Sequence, residues 1–215
     1  MFDVDIQPEG LAAVAAFTLS SSGKKIKSSL FDDNVVVLDS GTYTFDALLL
    51  REGRFDSSSL ASATWDGEGL YRHIIIPMSN KIKELGDDDF RKISPDMIDK
   101  AIYTSCYTGG KCVIKSAGKE LVLTDLLQSL SKKYAAFISN NVIDNNYNGF
   151  SGIESVIVVG GGAHLITPYL RKWYPGKILE YASLKNLKDV RPSELNAIGG
   201  QRLSRYFAFA NGHST

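Results

Sequence analysis

The sequence predicts an α/β domain with a mixed sheet. Two short runs that are almost wholly apolar, residues 35–38 and 156–159, have the composition of strands buried on both faces. The first run leads through a polar turn into a second β-rich segment, and the other leads through glycines into a segment with helical spacing. A pair of antiparallel strands beside a strand–turn–helix unit indicates a sheet with helices packed on it.

The remaining elements are predicted from apolar spacing along the chain. Helices are expected at 11–17, 67–85, 95–101, 123–142, 163–173 and 193–209. Further strands are expected at 43–50, from Arg54 onward and near 178–179. Pro77 lies within the second of these helices, so it either kinks the helix or marks its true start. Pro95 begins the third, with Ser94 as its N-cap.

Two further segments are predicted, one as a hairpin and one as a surface loop. Residues 103–115 indicate a hairpin around Gly109 and Gly110, in which Cys106 and Cys112 are out of register for a disulfide. The asparagine-rich stretch 140–148 is typical of a surface loop after a helix.

Composition excludes several classes of protein. The chain has 215 residues, a formal net charge of zero and 44% hydrophobic residues, which is ordinary for one compact domain or two small lobes. No apolar run approaches the length of a membrane span, and the balanced charge provides no general attraction to DNA or anionic lipid. Two cysteines are too few for a disulfide framework, so a cytoplasmic location is expected.

The first candidate site lies between the first two strands, in the run Asp39-Ser40-Gly41-Thr42-Tyr43-Thr44-Phe45-Asp46. A carboxylate at the end of a strand can hold Mg²⁺ through water, and a glycine lets backbone N–H groups approach an anion. Thr42 and Thr44 add hydroxyl groups. The alternative is a plain β-hairpin with Asp and Gly in its turn.

The second candidate site is Gly160-Gly161-Gly162-Ala163, between a buried strand and a helix. Glycines at such a turn let a ligand lie against the backbone, and a helix N-terminus favours negative charge. The alternative is a packing turn. The dinucleotide fingerprint G-x-G-x-x-G is excluded, because Leu165 occupies its last glycine position.

In this order, the two segments resemble the second phosphate loop (D-x-G-x-x-T-x-D) and the adenosine loop (G-G-G-A) of the actin, Hsp70 and sugar-kinase superfamily. Three further matches resemble the ParM/StbA plasmid-segregation branch: Pro8-Glu9-Gly10 before an alanine-rich helix, Gly67-Glu68-Gly69, and Asn196-Ala197-Ile198-Gly199. The resemblance spans residues 8–207. It implies domain II of an actin-like (ribonuclease H-like) ATPase, a mixed sheet with flanking helices plus a small inserted α+β lobe.

The resemblance implies roles at the phosphate end of an ATP or ADP site. Asp39 would hold the hydration shell of Mg²⁺, so it is the metal contact through water. Gly41 and Thr42 would present N–H groups to the phosphates, with Thr44 beside them. Glu9 would orient the attacking water, which makes Glu9 and Asp39 the expected catalytic pair. Alternatively, Glu9 only complements the dipole of its helix.

At the adenosine end, the resemblance implies a lining formed by Gly160, Gly161, Gly162 and Ala163. His164 follows this loop and would touch the base or the ribose. An exposed or capping histidine is the alternative for His164.

The same resemblance implies a division into lobes. Residues 1–84 and 125–215 would form the nucleotide-facing lobe, and 85–124 the inserted small lobe. The family's other half, domain I, is expected to be absent, because no second phosphate loop of the form D-x-G-x-[ST]-K occurs. ATP hydrolysis is therefore expected only together with domain I. A second departure is the bulky Tyr43 after the phosphate-loop residues, which could narrow the site.

The function implied is the nucleotide-binding half of a filament-forming ATPase that segregates plasmid or phage DNA. Its partners would be further copies of the full-length parent and an adaptor protein on centromere-like DNA, so the DNA contact is indirect and no membrane is involved. Two alternatives are a non-catalytic protein that binds or caps actin-like filaments, and half of an Hsp70-like or sugar-kinase-like protein.

Overall fold

A computed structural model describes residues 9–26, 30, 32–58, 61–180, 187 and 190–210, leaving the side chains of Glu9 and Ala210 outside the description. The helices are α1 (Glu9–Thr18), α2 (Ile76–Glu84), α3 (Pro95–Thr108), α4 (Thr124–Ile138), α5 (Asp144–Tyr147), α6 (Ala163–Trp173) and α7 (Leu195–Ala210). The strands are β1 (Val35–Ser40), β2 (Thr44–Arg51), β3 (Arg54–Asp56), β4 (Ala63–Asp66), β5 (Val113–Ser116), β6 (Lys119–Val122) and β7 (Ser155–Val159). No helix in the described ranges combines the length and apolar composition needed to cross a bilayer.

The main sheet is mixed, as predicted. Its order is β3-β2-β1-β7, and β4 also pairs with β2. β1 runs antiparallel to β2 and parallel to β7, which places Asp39 opposite both Asp46 and Val159. All six residues of β1 are buried, which explains why its sequence is nearly continuous in apolar residues.

Two hydrophobic cores lie on opposite faces of this sheet. Val36 and Leu38 of β1 belong to the core that includes residues of α2, α3, α4 and α6, whereas Val35 and Val37 belong to the core formed with α1 and α7. Because successive side chains of a strand point to opposite faces, this alternation places Asp39 on the α1/α7 face. It places the next residue, Ser40, on the other.

The predicted hairpin at 103–115 is wrong. α3 continues to Thr108 and ends at Gly109, whose φ of 66° is the left-handed conformation of a helix C-cap. The hairpin lies further on, where β5 and β6 pair across Ala117 and Gly118. Cys106 is therefore a helical residue, and the strand register proposed for the two cysteines does not exist; both thiols are free.

The predicted loop at 140–148 is also wrong. A π-helical turn, Ser139–Ile143, continues from α4 into α5. Val142, Ile143 and Tyr147 are buried, so their apolar contacts hold this polar stretch in helical form.

Smaller differences concern element boundaries. Pro77 lies in the first turn of α2, and a π-helical turn at Tyr71–Ile75 leads into α2 without a break, so Pro77 falls inside one continuous helical run and does not mark its start. Near 178–179 the structure has an isolated parallel bridge between Ile178 and Val156. β4 had no sequence prediction.

Candidate functional site

The two glycine-containing segments meet at one edge of the sheet. β1 and β7 are parallel neighbours, so both loops leave the sheet at the same end. The N–H of Gly162 donates to the carbonyl oxygen of Ser40 at 2.9 Å, joining the loops directly. The segments that sequence analysis selected separately therefore form one structural unit.

Asp39 is the most enclosed carboxylate of this unit, with 4% of its surface exposed. Its Oδ2 accepts a hydrogen bond from Asn196 Nδ2 at 2.6 Å. Gly160 lies on its other side with a φ of 87°, and a Cβ there would overlap Asp39 Oδ1 and lie 2.5 Å from the Ser40 carbonyl oxygen. Only glycine combines that backbone conformation with so close an approach.

The first loop uses several of its own donors internally. The N–H of Gly41 donates to the Thr44 carbonyl oxygen at 3.0 Å. The Thr44 hydroxyl donates to Asp46 Oδ2 at 3.0 Å, and the Thr64 hydroxyl donates to the other oxygen of Asp46. These bonds fix the shape of the loop, and in this arrangement the Gly41 N–H and the Thr44 hydroxyl proton are engaged within the chain.

Leu70 and Tyr71, which lie just before α2, orient the remaining peptide groups of the first loop. The carbonyl oxygens of Gly41 and Thr42 accept from the N–H groups of Leu70 and Tyr71 at 3.1 and 2.8 Å. In a trans peptide the N–H points opposite to the C=O, so the N–H groups of Thr42 and Tyr43 point away from Leu70 and Tyr71. Neither donates to a backbone carbonyl in the described part of the chain. Two adjacent donors aimed in this way can bind an anion.

A cavity of about 460 Å³ lies beside this loop on the α1/α7 face. Its lining comprises Gly10, Val37, Asp39, Thr44, Asp46, Ala47, Leu48, Phe55, Ser62, Ala63 and Thr64. The presence of Gly10 shows that the start of α1 borders the same space as Asp39. Glu9 is the first residue of α1, but its side chain lies outside the description.

The potential metal ligands that line this cavity fit a hydrated cation better than a cation coordinated directly by the protein. The lining contains the carboxylates of Asp39 and Asp46, and the described residues contain no group of three or more side chains able to hold a metal ion. Mg²⁺ commonly keeps several waters and is bound through one or two carboxylates plus phosphate oxygens. Asp39 can therefore contact Mg²⁺ through water, as the resemblance implies.

Tyr43 does not line the cavity. Its ring packs against Tyr71 at a centroid distance of 5.4 Å, and 66% of the residue is exposed. The bulk of Tyr43 therefore lies along the outside of the loop.

His164 and Ala163 border a second cavity, of about 340 Å³, between α6 and the segment around Ile178. The His164 ring contacts the Tyr107 ring edge to face, with the two ring centroids 4.6 Å apart. The central carbon of the Arg191 guanidinium lies 4.7 Å from the centroid of the same tyrosine ring. Burial, and then the positive charge of Arg191, lower the pKa of His164. Its Nε2 is buried and has no partner among the described residues. His164 is thus a neutral, aromatic-flanked side chain at neutral pH, suited to a base more than to a phosphate.

Sequence reasoning missed two residues of the site. Tyr134 of α4 donates its hydroxyl to the Glu68 carbonyl oxygen at 3.1 Å and contacts Ser40 Oγ at 3.2 Å. Asn196 was noted only as part of a motif. A tyrosine on the apolar face of a predicted helix was the sole local signal for Tyr134, and neither contact partner is close in sequence.

Comparison of the fold finds clear similarity to actin-like proteins. Bacillus thuringiensis ParM with ATP matches with a TM-score of 0.65 and 16% identity over 94% of this chain. Ta0583, an archaeal actin homolog, matches with a TM-score of 0.67 and 21% identity, and the actin-like protein Alp7A with 0.67 and 19%. No protein-family model and no curated protein matches the sequence. The chain therefore has an actin-like α/β fold of the ParM type, as predicted.

The chain spans about half the length of these solved structures. It covers 55% of the ParM and Ta0583 chains and 53% of Alp7A. This coverage is compatible with a single actin-like domain.

Proposed function

We propose that this chain forms one half of the nucleotide cleft of an actin-like, filament-forming ATPase that acts in plasmid or phage DNA segregation. Within it, residues 1–84 and 125–215 form the nucleotide-facing lobe and 85–124 the inserted small lobe. Bacillus thuringiensis ParM and Ta0583 match this fold in structures with ATP and with ADP, respectively, which supports an adenine nucleotide as the ligand. The filament and an adaptor on centromere-like DNA are partners of the complete protein.

One observation carries the proposal: a buried carboxylate lies where two glycine-containing loops meet. Asp39 is the next-to-last residue of β1, and Gly160 follows β7 and packs against Asp39. The Thr42 and Tyr43 N–H groups, which no described carbonyl engages, lie in the adjoining loop. Ligands of α/β sheets bind beyond the carboxyl ends of parallel strands, where loops provide the contacts. A carboxylate for a hydrated cation beside amides for phosphate is the chemistry a nucleotide–Mg²⁺ complex requires.

In the proposed complex, each group of the chain has a limited task. The Thr42 and Tyr43 amides bind phosphate oxygens, Asp39 accepts from metal-bound water, and Glu9 at the start of α1 orients the attacking water. Mg²⁺ would neutralise charge on the phosphates. Gly161, where an added Cβ would make only ordinary contact with Leu70, leaves room for the ribose, and His164 contacts the base. The chain supplies donors from one side only, so affinity should be weak and ATP turnover negligible without domain I.

Weak binding is best tested by NMR. Titrating ADP–Mg²⁺ to millimolar concentration into ¹⁵N-labelled chain should shift the amide signals of residues 41–44 and 160–164. Asp39→Ala should abolish the metal-dependent part of these shifts. Asp88→Ala removes an exposed carboxylate that pairs with Arg91, and it is the matched control that should leave them unchanged.

The outcomes separate the candidate functions. A folded wild-type chain that shows no shifts would reject this proposal and favour a non-catalytic filament-binding or capping protein. ATP turnover by the isolated chain above that of Glu9→Ala would contradict the need for domain I.

A further inference from the structure

Asn196 has its orientation set by the carboxylate that it contacts. Its Nδ2 lies 2.6 Å from Asp39 Oδ2. An ionised carboxylate only accepts hydrogen bonds, so the amide must present its NH₂ group to Asp39. The reversed amide would place two acceptors in contact. The direction of Asn196 Oδ1 therefore follows from chemistry, although oxygen and nitrogen have nearly the same shape.

That oxygen has no donor from the described part of the chain. Asn196 Oδ1 is buried and lacks a hydrogen-bond partner among the described residues. Leaving a buried acceptor unpaired costs about 1–3 kcal/mol, so such atoms usually mark a water or a ligand. A water bound to a cation can donate to such an acceptor, because its oxygen faces the metal and its protons face outward.

The backbone around Asn196 keeps the amide in place. Asn196 is the second residue of α7, and the carbonyl oxygen of Pro192, just before that helix, accepts from the Gly160 N–H at 3.1 Å. Gly199, one turn further on, lies directly against the α1 backbone at Ala12. The amide is thus set by a helix that is fixed both to the glycine loop and to α1.

We propose that Asn196 is a positioning residue for the metal–nucleotide complex. Its Nδ2 holds the Asp39 carboxylate against the Gly160 turn, and its Oδ1 accepts a hydrogen bond from a water of hydrated Mg²⁺. This inference rests on the proposed function, and it adds a second acceptor for the metal's hydration shell. A purely structural link between α7 and the sheet is the competing explanation.

The test compares ADP affinity with Mg²⁺ and with EDTA, measured by NMR titration for each variant. In Asn196→Ala, the ratio of the two affinities should fall by on the order of tenfold, the usual lower bound for losing a partner of a metal ligand. Affinity in EDTA should stay unchanged. Gln201→Ala, an exposed change on the same helix, is the matched control and should keep the wild-type ratio. If Asn196→Ala does not fold, Asn196→Ser, which shortens the side chain, replaces it.

The outcomes of these titrations distinguish a metal-positioning role of Asn196 from a structural one. A ratio like that of the wild type overturns the inference and leaves the proposed function standing. An equal loss of affinity with and without metal identifies a structural link only, and also overturns it. A wild-type chain that binds ADP in neither condition overturns both the inference and the proposed function.

Discussion

Gly160 shows how a single residue can be required for two separate reasons. Its φ of 87° is a conformation that residues with a Cβ rarely adopt, and its missing side chain leaves space for Asp39 Oδ1. Gly176 shares the first property, with a φ of 76°, but a Cβ added to it would meet no described atom within 4 Å. The two glycines therefore separate backbone strain from steric overlap.

We expect Gly160→Ala to destabilise the chain by about 3 kcal/mol, because left-handed strain of ~1–2 kcal/mol adds to overlap with Asp39 and Ser40. Gly176→Ala, the control, should cost only about 1–2 kcal/mol. Urea unfolding of the three proteins measures the difference. Equal losses would show that the loop relaxes freely, and that Asp39 is not confined as described.

At the scale of elements, α1 and α7 pack backbone to backbone on their face of the sheet. A Cβ at Gly199 would overlap the carbonyl oxygen of Ala12 and lie 3.1 Å from the Ala16 nitrogen, whereas a Cβ at Gly200 would meet no described atom within 4 Å. Arg202 adds a buried bond from its guanidinium to the Leu19 carbonyl oxygen at 2.8 Å. The pair thus joins the helix that begins at Glu9 to the helix that carries Asn196.

These neighbouring glycines should respond in opposite directions. Gly199→Ala should force the helices apart and cost ~3 kcal/mol. Gly200→Ala should stabilise the chain by about 0.5–1 kcal/mol, because alanine is the better helix former. Thermal unfolding midpoints measure both changes. A neutral Gly199→Ala would contradict the close approach of α1 and α7.

For the whole molecule, the two cores share one sheet, since β1, β2 and β7 contribute side chains to both. Loss of either core would expose one face of the strands on which the other core is also built, so the chain should unfold in one cooperative transition. A broad, two-step thermal melt would contradict this expectation.

Buried tyrosine hydroxyls and a buried cysteine thiol make the stability of the whole chain depend on pH under alkaline conditions. Burial raises the pKa of Tyr134 and of Tyr147 above the ordinary 10.0, and raises that of Cys112 to about 11. Groups with raised folded-state pKa values stabilise the fold fully below their unfolded-state values. That contribution is lost as pH rises, because the unfolded chain releases its protons first.

We therefore expect the urea midpoint to fall as pH is raised from about 8 to about 11. Tyr134→Phe should start from a lower midpoint, because it loses the bond to Glu68, and should show a shallower decline. A decline of wild-type steepness in this variant would show that Tyr134 is not responsible. Tyr43→Phe, at an exposed ring, is the control and should follow the wild type.

Local sequence was sufficient for the parts of this chain that depend on nearest neighbours. Continuous apolar runs identified β1 and β7, Ser94 and Pro95 identified the start of α3, and the glycine segments identified both loops of the site. It failed at 103–115, where Gly109 caps a helix, because a glycine pair is equally compatible with a hairpin turn. It failed again at 140–148, where burial of Val142 and Ile143 outweighs the loop preference of asparagine.

The sequence by itself determined the α/β class, the mixed sheet and the two loops with a carboxylate, Asp39, beside the first of them, since each depends on residue types within a few positions. Only the tertiary structure decided what surrounds Asp39. Asn196 reaches it from 157 positions away, and Tyr134 contacts the neighbouring Ser40 from 94 positions away. Such contacts arise from the packing of helices on both faces of the sheet. No local sequence pattern determines which distant side chain will contact the end of β1.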